Sequence, residues 1–111
     1  MEGALKLPQT THLQFSVLAF LQAGEQSGKA VRRRLGELGL RRSSPAFYQL
    51  MSRLEDAGLV EGRYDQKVID GQIIKERFYA ITEDGLDAWQ ATRDFYVETI
   101  RAAEQAPTES A

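Results

Sequence analysis

Seven of the fourteen cations in this sequence lie between Ser27 and Arg53, against the single acid Glu37. They are Lys29, Arg32, Arg33, Arg34, Arg41, Arg42 and Arg53. The whole chain carries a net charge of −2. A basic block in an acidic chain points to a local anionic partner. A solvated helix face is the simpler account of arginines alone, so the block needs structural context. Other chemistry finds little support. There is no cysteine, which excludes disulfides, thiolate catalysis and iron–sulfur clusters. His12 is the only histidine, which excludes a Cys/His zinc site and leaves no Ser–His pair in context. Gly24-Glu25-Gln26-Ser27-Gly28-Lys29-Ala30 is one residue short of a phosphate-binding loop and follows a helical pattern where a strand is needed. The expectation is a protein that is not an enzyme, with no cofactor and no metal.

The elements that must position the block can be read from periodicity. Residues 10–23 predict a helix, with Leu13, Val17, Phe20 and Leu21 at helical spacing and Gly24 ending the run. Residues 28–38 predict a second helix, with Ser27 as N-cap, Val31, Leu35 and Leu38 on one face, and Gly39 just past its end. A third helix begins with Ser44 as its cap and Pro45 in first position. Its apolar face is Phe47, Leu50, Met51 and Leu54, and Gly58 stops it. The opposite face carries Gln49, Ser52 and Asp56, flanked by Tyr48 and Arg53.

Asp70-Gly71 is a two-residue hairpin signal, because both central positions of such a turn need positive φ. That turn pairs Val68 with Ile73, Tyr64 with Arg77, Gly62 with Tyr79 and Val60 with Ile81. It also sets Asp65 opposite Glu76, where like charges favour a bulge. Thr82 then caps a last helix, with Glu83 and Asp84 at the positive end of its dipole. The order helix, helix, helix, strand, strand, helix is a winged helix-turn-helix plan. The fold class expected is mainly α with a small β-hairpin wing, extended by a long C-terminal dimerisation helix.

The last helix carries two apolar stripes. Leu86, Trp89, Tyr96, Val97 and Ile100 form one, and Ala88, Ala91, Phe95 and Ala102 the other. A surface helix needs only one. At 1.5 Å per residue the helix is roughly 35 Å long, more than a small body can cover. A second copy of the chain is the partner expected, with Leu86, Trp89, Phe95, Tyr96 and Ile100 at the dimer interface. The chain divides into an N-terminal arm (1–9), a winged helix-turn-helix domain (10–81), a dimerisation helix (82–105) and a flexible tail (106–111). Hydrophobic residues at 42% and charged residues at 27% are the balance of a soluble globular domain. The longest apolar run, Val17 to Leu21, is too short to span a bilayer, and residues 1–8 lack a secretory pattern. A cytoplasmic protein with no membrane partner is expected.

From Phe47 onward the chain resembles the PadR family of bacterial transcriptional regulators. The family's recognition helix reads Tyr-x-x-Leu-x-x-Leu-x-x-x-Gly-Leu, matched here by Tyr48, Met51, Leu54, Gly58 and Leu59. Its second strand and following helix start read Tyr-x-Leu-Thr-x-x-Gly, matched by Tyr79, Ile81, Thr82 and Gly85. The resemblance spans about residues 10–104. Its second helix often opens His-Gly-Tyr, whereas Ser27-Gly28-Lys29 keeps only the glycine. The hairpin tip is also unusually apolar, with Val68, Ile69, Ile73 and Ile74. The resemblance implies a homodimer formed through the last and first helices, a repressor, and a planar aromatic effector near the dimer interface. Trp89 is the candidate contact for such a ligand, with core packing as the bland alternative.

These parts predict a sequence-specific regulator that binds double-stranded DNA at an inverted-repeat operator. The third helix would enter the major groove with Gln49 and Ser52 at base edges, Gln being suited to bidentate contact with adenine. Tyr48, Arg53, Arg41 and Arg42 would hold phosphates, and Ser44 stands at the same helix start. Lys29 and Arg33 add charge from the second helix, and Lys67 and Lys75 from the wing. The rival reading is a winged-helix protein-interaction module without DNA affinity, favoured by the apolar wing tip and the acidic remainder.

Overall fold

The computed structural model describes residues 10–107. The expected arm at 1–9 and the end of the expected tail, 108–111, lie outside the described residues. The elements run α1 (His12–Leu21), β1 (Gln26–Ser27), α2 (Gly28–Glu37), α3 (Ser44–Asp56), β2 (Val60–Ile69), β3 (Gln72–Ile81) and α4 (Glu83–Glu104). The strands form one antiparallel sheet in the order β1-β3-β2. The winged helix-turn-helix plan is therefore the one observed. The two-residue strand β1 has no signature in the sequence, since two residues show no alternation. It pairs Gln26 with Tyr79 and Ser27 with Phe78, so the wing joins the helices through backbone hydrogen bonds.

Capping fixes the helix starts. Thr11 and Gln14 form a reciprocal capping box, so α1 begins at His12 rather than at residue 10. Ser27 caps α2 by accepting from Ala30 N at 3.1 Å. The cap of α3 is Ser43, not Ser44: the Ser43 hydroxyl accepts from Ala46 N at 3.3 Å, and Ser44 is already helical. Proline could not discriminate between these registers, because the first and second helical positions both lack an intrahelical acceptor for their N–H.

The core is one cluster: Val17, Leu18 and Leu21 from α1, Val31 and Leu35 from α2, Phe47, Met51 and Leu54 from α3, with Val60 and Tyr79 from the sheet. Each is at most 2% exposed. Leu38 does not join it. It caps α2 at 59% exposure, and Leu40 packs against the cluster instead. The chain reverses there through Gly39 at φ 81°, so the side chain after the reversal is the one turned inward.

The hairpin keeps the expected register throughout, closed by Asp70 at φ 51° and Gly71 at φ 79°. No bulge relieves Asp65 opposite Glu76. The Lys67 ammonium, 3.9 Å from Glu76, offsets the repulsion instead. Thr82 ties the start of α4 to the end of α3. Its hydroxyl accepts from Gly85 N at 3.0 Å and donates to the Gly58 carbonyl at 2.6 Å, and its N–H donates to the Leu59 carbonyl. Gly85 has to be glycine, since a Cβ there would run into the Leu59 carbonyl oxygen.

Candidate nucleic-acid interface

Helix α3 turns Phe47, Met51 and Leu54 into the core, so geometry decides what faces out. Gln49, Ser52, Arg53, Asp56 and Ser44 are exposed, and Tyr48 is half-buried. Tyr48 lies edge-on to Phe47 with ring centroids 4.9 Å apart. A Cβ at Gly28 would sit 2.9 Å from the Tyr48 hydroxyl and 3.3 Å from the Tyr79 ring. Glycine at the start of α2 thus lets the two tyrosines seat against it.

Along α2 and its connection to α3, an open cleft of about 600 Å³ is lined by Lys29, Arg32, Arg33, Gly36, Glu37, Arg41 and Arg42. The spacing Lys29, Arg32, Arg33, Gly36 puts one face of α2 toward it. The connection to α3 is braced. Arg32 Nε donates to the Arg42 carbonyl at 3.1 Å, and Arg42 Nη1 donates to the Arg41 carbonyl at 2.9 Å. Five cations against one carboxylate make the cleft an attractive site for phosphate oxygens. Arg34 is directed elsewhere, with its guanidinium 4.3 Å over the Phe20 ring.

A second open cleft, about 410 Å³, lies between α3 and the wing, lined by Tyr48, Ser52, Glu55, Tyr64, Lys75, Arg77 and Tyr79. The two wing lysines part company here. Lys75 pairs with Gln66 and lies on the ribbon face that includes Tyr64 and Arg77. Lys67 is one residue out of phase, so the pleat turns it to the opposite face beside Glu76. Tyr48, Ser52 and Lys75 thus share the cleft between α3 and the wing, Lys29, Arg33, Arg41 and Arg42 share the cleft along α2, Ser44, Gln49 and Arg53 are exposed on α3, and Lys67 lies on the other ribbon face.

Two charged groups that are not among the expected site residues join α3 to the wing. Glu55 Oε2 accepts from Arg77 Nη2 at 2.8 Å and from Gly62 N at 3.2 Å. The Arg77 guanidinium lies 4.7 Å over the Tyr64 ring and 5.6 Å from that of Tyr79. Burial works against its charge, but contact with the Tyr79 hydroxyl and Glu55 outweighs it and holds its pKa above the ordinary value. Burial pushes the Tyr79 phenol up as well. On the other ribbon face Arg63 makes a two-pronged ion pair with Glu25, both contacts at 2.8 Å. That hydrogen bonding holds the Glu25 carboxyl below its usual range. Arg77 sits opposite Tyr64 in the register the turn dictates, so the cross-strand stack was readable in advance. Glu55 was not, because an acid near a helix end is already explained by solvation. Arg32 was within reach of the sequence, three residues after Lys29.

The expected dimer residues fall into two groups. Leu86 and Trp89 are half-buried in their own protomer, and Trp89 packs against the core with Ala88. Thr92 is 1% exposed and its hydroxyl lies 3.0 Å from that of Thr10. The body thus takes residues from both predicted stripes, centred on Gly85, Trp89 and Thr92. Tyr96 continues that same line, seven residues after Trp89, yet is 47% exposed because the body has ended. Ile100 is 57% exposed, and Phe95 is half-buried edge-on to Tyr96. Among the described residues no helix is long and apolar enough to cross a membrane.

A family model described as "Transcriptional regulator PadR-like family" matches residues 17–91. No curated protein matches the chain. Several solved structures share the fold. A PadR family transcription regulator from Clostridium difficile R20291 superposes with a TM-score of 0.71 at 14% identity, covering 83% of this chain and 94% of that one. RosR from H. salinarum gives 0.62 at 25% identity, covering 88% and 82%. Bacillus subtilis PadR in complex with operator DNA gives 0.61 at 22% identity, covering 91% of this chain and 52% of that one.

Proposed function

The chain belongs to the PadR-like family of transcriptional regulators, and from that premise we propose that it is a homodimeric, sequence-specific DNA-binding repressor acting in the cytoplasm. The observation that carries the DNA reading is the exposed polar face of α3, which shares a cleft with Lys75 of the wing and follows in the chain directly on the arginine cleft of α2. In this reading α3 lies in the major groove with Gln49 and Ser52 at base edges. Tyr48, Arg53, Arg41, Arg42 and Ser44 hold the phosphates around it, with Lys29, Arg32 and Arg33 behind. Lys75 reaches the backbone from the wing. A similar protein, Bacillus subtilis PadR, was crystallised in complex with operator DNA, which supports DNA as the partner.

The proposal includes dimerisation through the outer part of α4, supported by the exposed Tyr96, Val97 and Ile100. Two copies related by a two-fold axis read an inverted repeat. It also includes a planar aromatic effector at Trp89. That indole Nε1 is buried with no acceptor among the described residues, so a polar group brought beside it would gain a hydrogen bond. Quenching of the single tryptophan by planar aromatic compounds tests this part. The test of the whole is selection of bound duplexes from a random pool, followed by anisotropy titrations over a range of salt. An inverted repeat should emerge, with log affinity falling linearly in log salt. Absence of salt-dependent binding to any duplex would make the protein-interaction reading the better one.

A further inference from the structure

Resting on the DNA reading above, we propose that Glu55 and Arg77 form a clasp that sets the angle of the wing against the recognition helix, making them positioning residues for DNA binding. Glu55 is the one side chain of α3 bonded to both wing strands: to β2 through Gly62 N and to β3 through Arg77. The pair is three-quarters buried, with side-chain exposures of 26% and 24%. It is therefore less screened than the Arg63–Glu25 pair on the opposite ribbon face, at 53% and 37%. Arg77 is fixed further by the rings of Tyr64 and Tyr79. Beyond Tyr64 the ribbon leaves the body, and Val68 and Ile73 are 72% and 63% exposed. The wing is thus long, unsupported at its tip and held at its base. A small rotation at the clasp is therefore amplified along the ribbon, from Lys75 outward to the turn at Asp70-Gly71.

The sequence makes room for the clasp at Gly62. A Cβ there would stand 2.7 Å from Arg77 Nη2 and 2.8 Å from Glu55 Oε2, and 2.8 Å from Arg77 Cζ. These atoms are the ends of flexible side chains. Gly62→Ala therefore displaces the ion pair rather than the backbone, and favours the strand by removing a glycine from its interior. The clasp also predicts a sign. Glu55 is an acid on the DNA side. If it acts only as a charge, its neutralisation should leave DNA binding unchanged or tighten it. If it positions the wing, Glu55→Gln should weaken binding.

The experiment uses the full chain, whose lack of cysteine allows two introduced labels without background. Spin labels at Asp56→Cys and Gln72→Cys, both exposed, report the distance from α3 to the wing tip. Dilution with unlabelled chain isolates one pair per dimer. One narrow distance is expected, broadened in both Glu55→Gln and Gly62→Ala while melting temperatures stay near wild type. In unlabelled protein both variants should bind the selected duplex about tenfold more weakly. Unchanged distance distributions in both variants would overturn the clasp, whatever DNA does. Broadened distributions with unchanged or tighter DNA binding would overturn its role in positioning. If wild type binds no duplex at all, the DNA reading fails, and with it the role proposed here, while the distances alone decide whether the clasp holds the wing.

Discussion

Helix α3 and the outer half of α4 expose opposite kinds of surface. In α3 the large apolar residues Phe47, Met51 and Leu54 are fully buried, and what faces solvent is Gln49, Ser52, Arg53 and Asp56. In α4 the line through Gly85, Trp89 and Thr92 meets the body, and its continuation through Tyr96 toward Ile100 is left largely exposed among the described residues. A polar outer face costs nothing in water and is free to exchange hydration for phosphates and base edges. An apolar outer face is stabilised when it is removed from water. The first suits a reversible, salt-dependent contact with DNA, and the second a more permanent contact with another copy of the chain.

The largest effect expected is at the inner face of α3. Phe47→Ala should destabilise the protomer by about 3–5 kcal/mol, read from chemical denaturation. Next comes the outer face of α4. Ile100→Asp should weaken dimerisation by on the order of 3 kcal/mol, seen as a shift toward monomer in sedimentation, with the winged body still folded. Phe95→Asp should act in the same direction, though it also removes an edge-on contact with Tyr96. If neither variant changes sedimentation, the exposed α4 surface has another partner.

At the outer face of α3 the changes should be smaller and separable. Gln49→Ala should relax discrimination at one base position per half-site by roughly 1–3 kcal/mol. Arg53→Ala should weaken all duplexes alike and reduce the salt slope by about one. Both should melt near wild type, since neither side chain reaches the core. The smallest effect concerns acid. The Glu25 pKa is depressed by its hydrogen bonds to Arg63, so that pair stabilises the fold above the ordinary glutamate pKa. The contribution is lost as pH falls through the lower, folded value. Glu25→Gln should therefore flatten the acid limb of the stability profile between the ordinary and the lowered glutamate pKa, and leave α3 and α4 untouched, as followed by amide chemical shifts.

The plan of the fold was legible in the sequence because its signals are local. Caps at Ser27 and Thr82, reversals at Gly39 and Gly58, and the Asp70-Gly71 turn depend on backbone groups a few residues away. Once the turn was fixed, period-two pairing carried the register from Val68–Ile73 to Val60–Ile81 without further information. The polar face of α3 followed from helical periodicity in the same way. The cap at Ser43 was missed because adjacent serines before a proline satisfy the same local rule.

Tertiary structure decided whatever depends on where the body ends and on which distant groups meet. Periodicity gave α4 two stripes, but only packing against α1 and β3 showed that the body takes a line drawing on both and leaves Tyr96 and Ile100 uncovered. Leu38 fitted the α2 stripe and was turned out by the chain reversal after it. Lys67 and Lys75 were equal as wing lysines until the pleat and the side on which α3 lies separated them. Glu55 and Arg77 are 22 residues apart, and Glu25 and Arg63 are 38 apart. Composition and spacing give no means of pairing charges at such separations. Their meeting follows from the sheet being laid against the helices, which is a property of the whole chain.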